Sequence, residues 1–255
     1  QNEDGYFKKD KEFEPIGAGL IIVDESSMID MWLARQFFMR IGNNTKIVLV
    51  GDPDQLQSVG AGDVFRQLIN SGLIPVTVLD KIFRQKDGSR IALNARAINN
   101  DQTKLSYGDD FCFYKCQTQD QAADIIKRAF CDLTEKYGIE NVQILSPYRK
   151  KGTAAANELN LAIREIVNPY KGGLPDLRIG ADYFRVGDKV MQNKNNSKAS
   201  NGDIGFIRDI GTDKDNKAVI TIEFSADRKA EYTLEDMKNI ELAYASTVHK
   251  AMGSE

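Results

Sequence analysis

The chain has 255 residues, 42% of them hydrophobic and 28% charged, with 34 Lys and Arg against 37 Asp and Glu for a net charge of -3. That composition belongs to a globular protein with room for two domains, and its mild acidity excludes a global basic field, so a polyanion would have to be held by local patches. The longest apolar runs are strand-sized, which excludes a membrane span. Three cysteines argue against a disulfide framework and for a reducing, cytoplasmic setting, and a single histidine makes a zinc knuckle at Cys112 and Cys116 improbable.

LIIVDESSM, Leu20 to Met28, is a short continuous apolar run that ends in acids. KIVLVGDPDQL, Lys46 to Leu56, repeats the pattern. Such runs suit strands buried on both faces of a parallel sheet, whose ligands sit at the carboxyl ends. Asp24, Glu25 and Asp52 would project there, as a magnesium-nucleotide site requires. Asp24 would hold the metal, usually through water, and Glu25 would orient or deprotonate the attacking water. Either strand alone could equally end in an acid that caps the next helix; two such strands favour the site. Between them Ile29, Leu33, Phe37 and Ile41 recur every four residues and predict a helix from Ser27 that stops at Gly42.

After the second strand, GDPDQLQSVGAG is loop chemistry. An amide at Gln55 can hydrogen-bond a γ-phosphate oxygen and the attacking water, or merely satisfy loop backbone. A short helix from Asp63 to Asn70, a strand from Val76 to Asp80 and a helix N-capped by Ser89 follow. Arg84, in IFRQ, suits an arginine finger that neutralises charge on a transferred phosphoryl group, although an ion pair is the commoner fate of a loop arginine.

A second α/β lobe comes next. TQDQAADIIKRAFCDLTEKYG is an amphipathic helix closed by Gly138, NVQILSPYRKKG a strand entering a basic loop, and TAAANELNLAIREIV a helix ending before Pro169. Tyr148, Arg149, Lys150 and Lys151 place an aromatic face beside three cations, as single-strand binding needs, although a solvated charged loop is the usual meaning of so short a run. Between Tyr183 and Leu242, short strands alternate with Gly, Asn and Asp turns, the pattern of a small antiparallel barrel inserted in the lobe. ELAYASTVHKAMG returns to a buried strand and a polar turn carrying Ser246, Thr247, His249 and Lys250, where Gly253 permits close backbone approach to a phosphate.

Together these segments resemble superfamily 1 helicases: VDESSM is similar to motif II, GDPDQLQSVGAGD to motif III, IFRQ to motif IV and YASTVHKAMGSE to motif V. The combination resembles the RecD-like DNA helicases, of the exodeoxyribonuclease V alpha-subunit type, over nearly the whole chain. The resemblance implies an α/β fold of P-loop NTPase (RecA-like) lobes, the first incomplete, with a small SH3-like β-barrel inserted in the second. Residues 1–80 would be the C-terminal part of the first lobe, 81–182 and 241–255 the second lobe, and 183–240 the barrel. ATP and Mg2+ are the implied cofactors, bound between the lobes. Single-stranded DNA and duplex junctions are the implied partners, with translocation usually 5′ to 3′, and other subunits of an exonuclease V-type complex are a further class of partner.

By motif position the resemblance makes Asp24 the metal residue and Glu25, Gln55 and Arg84 the catalytic set. It places Asp52, Gly253 and Glu255 at the nucleotide, and Thr247, His249 and Lys250 with the Tyr148–Lys151 loop at DNA. HKAMGSE departs from the usual HKSQGSE, and Met252 cannot make the hydrogen bonds of an amide. Two other readings compete: the helicase part of a conjugative relaxase, and a non-hydrolysing DNA-binding or assembly subunit of a nuclease complex. The sequence has no GxxxxGK[ST], so motif I is expected before residue 1 and motif VI after Glu255. The 255-residue piece is therefore expected to show no DNA-stimulated ATPase activity above a Glu25→Gln control; measurable turnover above that control would overturn the expectation.

Overall fold

The computed structural model describes residues 15–79, 89–172, 176–225 and 227–252. They form two compact units, one within Asp10–Lys115 and the other, in its described part, within Cys116–Glu255.

In the first unit, β1 (Leu20–Val23) and β2 (Lys46–Leu49) pair in parallel, Leu20 opposite Lys46 and Val23 opposite Leu49. The crossover carries α1 (Met31–Phe38), which begins later than its periodicity predicts. Residues Ser26–Met28 form a 3-10 turn, and the Asp30 carboxylate caps α1 by accepting the Leu33 N–H at 2.7 Å. Asp63 caps α2 (Val64–Asn70) in the same way. Leu49 shares a small apolar pocket with Phe37 and Phe38 of α1 and Phe65 and Leu68 of α2. On the opposite face Leu20, Ile22, Val48 and Val50 are exposed. Burial on both faces, expected of such runs, is therefore not realised, because among the described residues only one face of the pair is covered.

Two further expectations fail in this unit. Val76–Leu79 form no strand, although their β-branched sequence favours one, because no sheet edge among the described residues takes up their backbone groups. Asp80 lies outside the described residues. Ser89 precedes α3 (Arg90–Asn99) but makes no capping bond with its side chain. The Arg90 N–H is taken instead by Asp110 at 2.7 Å, and the same carboxylate holds the Arg90 guanidinium at 2.8 Å.

In the second unit, Thr118 caps α4 (Gln119–Tyr137) through the Gln121 N–H, and Gly138 ends it at φ 85°, a left-handed value that glycine adopts without a Cβ clash. β3 (Ile144–Ser146) leads to α5 (Ala156–Val167) and pairs in parallel with β11 (Ala245–Thr247), Ile144 opposite Ala245. Phe130, Leu159, Ile163 and Tyr244 fill the core around this pair. Between the paired strands lie a hairpin, β4 (Leu177–Ile179) with β5 (Asp182–Phe184), and a five-stranded antiparallel sheet. Its order is β10 (Ile240–Leu242), β6 (Lys189–Gln192), β7 (Ile204–Thr212), β8 (Ala218–Ser225) and β9 (Arg228–Tyr232). Val190, Ile207, Ile220, Ile222, Tyr232 and Met237 form its own core. Register shifts in β7 and β8 add the local twist that a small barrel-like sheet needs. α6 (Val248–Ala251) follows β11.

A buried polar junction roots the five-stranded sheet. Asp188 accepts from the Arg185 N–H and the Asn168 amide, both at 2.9 Å, and from the Tyr244 hydroxyl at 3.2 Å. Burial pushes the Asp188 carboxyl up; burial and the adjacent carboxylate push the Tyr244 hydroxyl up. Lys189, 1% exposed, donates its ammonium to the Ile139 and Val142 carbonyls at 3.0 and 2.8 Å. Carbonyls compensate a buried ammonium only in part, and desolvation lowers its pKa to about 8.

Below pH 8 both folded and unfolded chains carry the Lys189 proton, and the folded chain bears its desolvation cost. Between about pH 8 and the ordinary lysine value of 10.5 the unfolded chain binds a proton that the folded one lacks, so this contribution to stability rises with pH. Wild type should therefore gain roughly 2–3 kcal/mol relative to Lys189→Met between pH 7 and pH 10, measured by urea unfolding. A constant difference between the two proteins would show that Lys189 keeps its proton throughout.

Candidate functional site

The carboxyl edge of β1 and β2 is built by backbone. Val50 donates to the Val23 carbonyl and Ser26 to the Val50 carbonyl, each at 2.8 Å, so the ladder continues past β1 and turns the chain at Asp24 and Glu25. Asp24 accepts the Glu25 N–H at 2.9 Å. Glu25 sits at φ 51°, ψ 40°, a left-handed conformation that costs a non-glycine residue about 1–2 kcal/mol. Beside it a Cβ on Gly51 would lie 3.0 and 3.1 Å from the backbone nitrogens of Ser27 and Ser26, so any larger residue would have to push these two segments apart by a few tenths of an ångström.

Asp52 opens the next loop. Its carboxylate accepts the Asp54 N–H at 2.9 Å and its carbonyl the Gln55 N–H at 3.3 Å. Arg66 of α2 donates to the Pro53 carbonyl and pairs with Asp63 at 2.9 Å, which braces this loop from below. The side chains of Asp24, Glu25, Asp52 and Gln55 are all exposed. Neither Asp24 nor Asp52 caps a helix; Asp30 and Asp63 do so, which removes the simplest alternative account of the acids. Among the described residues no three His, Cys, Asp or Glu side chains converge as a metal cage. One or two solvent-facing carboxylates suit Mg2+ held mainly by water and phosphate oxygens, and do not suit zinc or calcium.

In the second unit the parallel pairing of β3 with β11 brings the Tyr148–Lys151 loop and the Thr247–Lys250 turn to one carboxyl edge. Tyr148 is 53% exposed, and Arg149, Lys150 and Lys151 are also exposed. The Tyr148 and Arg149 carbonyls accept the Ala156 and Asn157 N–H groups, which ties the basic loop to the start of α5. Arg149 pairs with Glu241 at 3.2 Å, and Lys250 contacts Glu241 and Asn193. Thr247 is half-buried and His249 exposed. Arg84, Gly253 and Glu255 lie outside the described residues.

Sequence reasoning missed Gly51, Asn160 and Glu241. Asn160 clamps β11 by donating to the Ala245 carbonyl and accepting the Ala245 N–H, both at 2.8 Å. Glu241 had one visible signal, a lone charge in the apolar run IELAYA. The hydroxyls of Ser27 and Ser246, one beside each edge, are buried without a hydrogen-bond partner.

Parallel strands with acids at their carboxyl ends, accompanied by a small antiparallel sheet placed between β3 and β11, make a mixed α/β protein. A family model described as an AAA domain matches residues 8–117, and one described as the ATP-dependent RecD-like DNA helicase SH3 domain matches residues 159–224. The chain is 32% identical over 95% of its length to the ATP-dependent RecD2 DNA helicase of Deinococcus radiodurans, covering 32% of that protein. It is 24% identical to the RecBCD enzyme subunit RecD of Buchnera aphidicola and to the conjugal transfer protein TraA of Agrobacterium fabrum, over 92% of its length in each case. Those matches cover 47% and 21% of the two relatives, so the chain spans less than half the length of each of these proteins. Its resemblance is thus to the RecD-like DNA helicases. Among the described residues no helix is long and apolar enough to cross a membrane.

The left-handed Glu25 yields a stability test independent of any activity. Glu25→Gly should be more stable than Glu25→Ala by about 1 kcal/mol, because glycine alone is relieved of the Cβ clash. Equal urea midpoints for the two variants would show that Glu25 is not held at positive φ.

Proposed function

We propose that this chain is the motor core of an ATP-dependent DNA helicase that moves along single-stranded DNA, in the 5′ to 3′ sense, and unwinds duplex during recombination or repair in the cytoplasm. The observation that carries the reading is the pair of adjacent parallel strands ending in Asp-Glu and in Gly-Asp-Pro-Asp-Gln, within a chain that also matches a RecD-like SH3 domain.

Bound Mg2+-ATP supplies the scissile phosphoanhydride and the neutralisation of its phosphate charge. Asp24 would hold the metal, largely through water, and Asp52 would serve the nucleotide from the neighbouring strand. Glu25 orients the attacking water and takes its proton; the left-handed backbone at this position fixes where the carboxylate begins. Gln55 offers an amide that can donate to a γ-phosphate oxygen and accept from the water. Arg84 supplies a guanidinium to the transferred phosphoryl group, and Gly253 and Glu255 complete the nucleotide contacts, all three by motif position. Tyr148 stacks a base, while Arg149, Lys150, Lys151 and Lys250 meet backbone phosphates, with Thr247 and His249 beside them. The conjugal transfer relative fits a second reading, the helicase part of a relaxase, only weakly, and the RecBCD-subunit relative fits a third, a non-hydrolysing DNA-binding or assembly subunit of a nuclease complex.

In the full-length protein, Glu25→Gln should lower ATP turnover by about 10²–10⁴-fold while nucleotide binding persists. Arg84→Ala should lower turnover severely with a modest loss of binding. Turnover and strand separation should be followed on 5′-tailed and 3′-tailed duplexes. Undiminished hydrolysis by Glu25→Gln would remove this site from the reaction.

A further inference from the structure

Four side chains from four segments meet at the carboxyl edge of the β3 and β11 pair. Glu241, on β10, takes the Arg149 guanidinium at 3.2 Å and the Asn193 amide at 3.1 Å on one carboxylate oxygen, and the Lys250 ammonium on the other. Lys250 also reaches the Asn193 side-chain oxygen. Arg149 comes from the loop after β3, Asn193 from the end of β6 and Lys250 from α6. Two cations and an amide donor around one anion form an anion-binding site, and the anion that fills it here belongs to the chain itself.

We propose that Glu241 is an internal counter-ion that occupies the position of a DNA backbone phosphate, so that a strand engages Arg149 and Lys250 only by displacing the carboxylate. This inference rests on the DNA-binding reading above and adds to it a residue that restrains affinity. The Glu241 side chain is 28% exposed and the Arg149 side chain 63%, so a phosphate can reach the cluster from solvent while the carboxylate stays anchored by its strand. Glu241 lies opposite Met191 in the antiparallel pair of β10 with β6, which holds its backbone in place when its side chain is released. Exchanging one anion for another around the same cations releases few counterions, so this part of the footprint contributes little to salt dependence as long as Glu241 is charged.

The test is fluorescence anisotropy of the 255-residue chain with a labelled oligothymidylate, titrated across salt concentrations. Glu241→Gln keeps the shape of the side chain, removes its charge and leaves one acceptor oxygen where the carboxylate used two. It should tighten binding about three- to tenfold, the scale expected for freeing two partly exposed ion pairs. The slope of log affinity against log salt should steepen by about 0.7–1.4, one or two added phosphate contacts on a single strand. Glu241→Ala should reproduce the slope change, and adding Arg149→Ala to Glu241→Gln should take back about 0.7 of it, the share of one contact. Binding by wild type with unchanged affinity and slope in Glu241→Gln would overturn the internal counter-ion. Weaker binding would overturn it too, by making Glu241 a builder of the site. Absence of binding by wild type and both variants would instead remove the DNA reading, and this inference with it.

Discussion

The Val23 carbonyl accepts the Val50 N–H and the Val50 carbonyl accepts the Ser26 N–H, and on this short continuation of the β1–β2 ladder the acidic edge depends. Parallel pairing, with Val23 opposite Leu49, places both carboxyl ends on one side, where Asp24 follows β1 directly and Asp52 follows β2 after Val50 and Gly51. A slip by one residue would turn the side chains of one strand to the other face and change where Asp24 stands relative to Asp52. Gly51 permits the tight crossing, and Glu25 takes a left-handed turn beside it. Strain of this kind persists where the surrounding backbone over-determines it, and here the hydrogen bonds of Ser26 and Val50 do so.

The second unit solves a similar problem with side chains. β3 and β11 are three residues each, too short to hold one another by their ladder alone. Asn160 grips both backbone groups of Ala245, and Tyr244 extends from the same strand into the buried junction with Asp188. The basic loop and the turn after β11 are thereby fixed to a rigid frame, and Glu241 links both of them to the last strand of the SH3-like sheet. Position and charge at this edge are therefore set by residues distant in sequence.

Legibility of the sequence followed the range of the interactions. Apolar runs announced β1, β2 and β3, four-residue periodicity announced α1, and an amphipathic pattern or a helix stop at Gly138 and before Pro169 announced α4 and α5, because these signals are local. The strand expected at Val76 failed because propensity without an edge to pair with does not make a strand. The cap expected at Ser89 failed because Asp110, twenty residues further on, takes the Arg90 N–H instead. Asp24, Glu25, Asp52 and Gln55 were readable as strand-end chemistry. The state of Arg149 was not, since its carboxylate partner lies 92 residues away. Lys189 was equally silent, because backbone carbonyls, which every residue carries, receive its ammonium.

The parallel pair of β3 and β11 joins segments about a hundred residues apart, with the whole five-stranded sheet in the connection. Closing so long a loop directly is entropically unfavourable, whereas a sheet already formed brings its entry at Lys189 and its exit at Leu242 side by side through the β6–β10 pairing. The insertion thus acts as a clasp for the lobe that hosts it. Lengthening its outer hairpin between β7 and β8 would leave the host's topology intact, but unzipping β10 from β6 would undo the host as well.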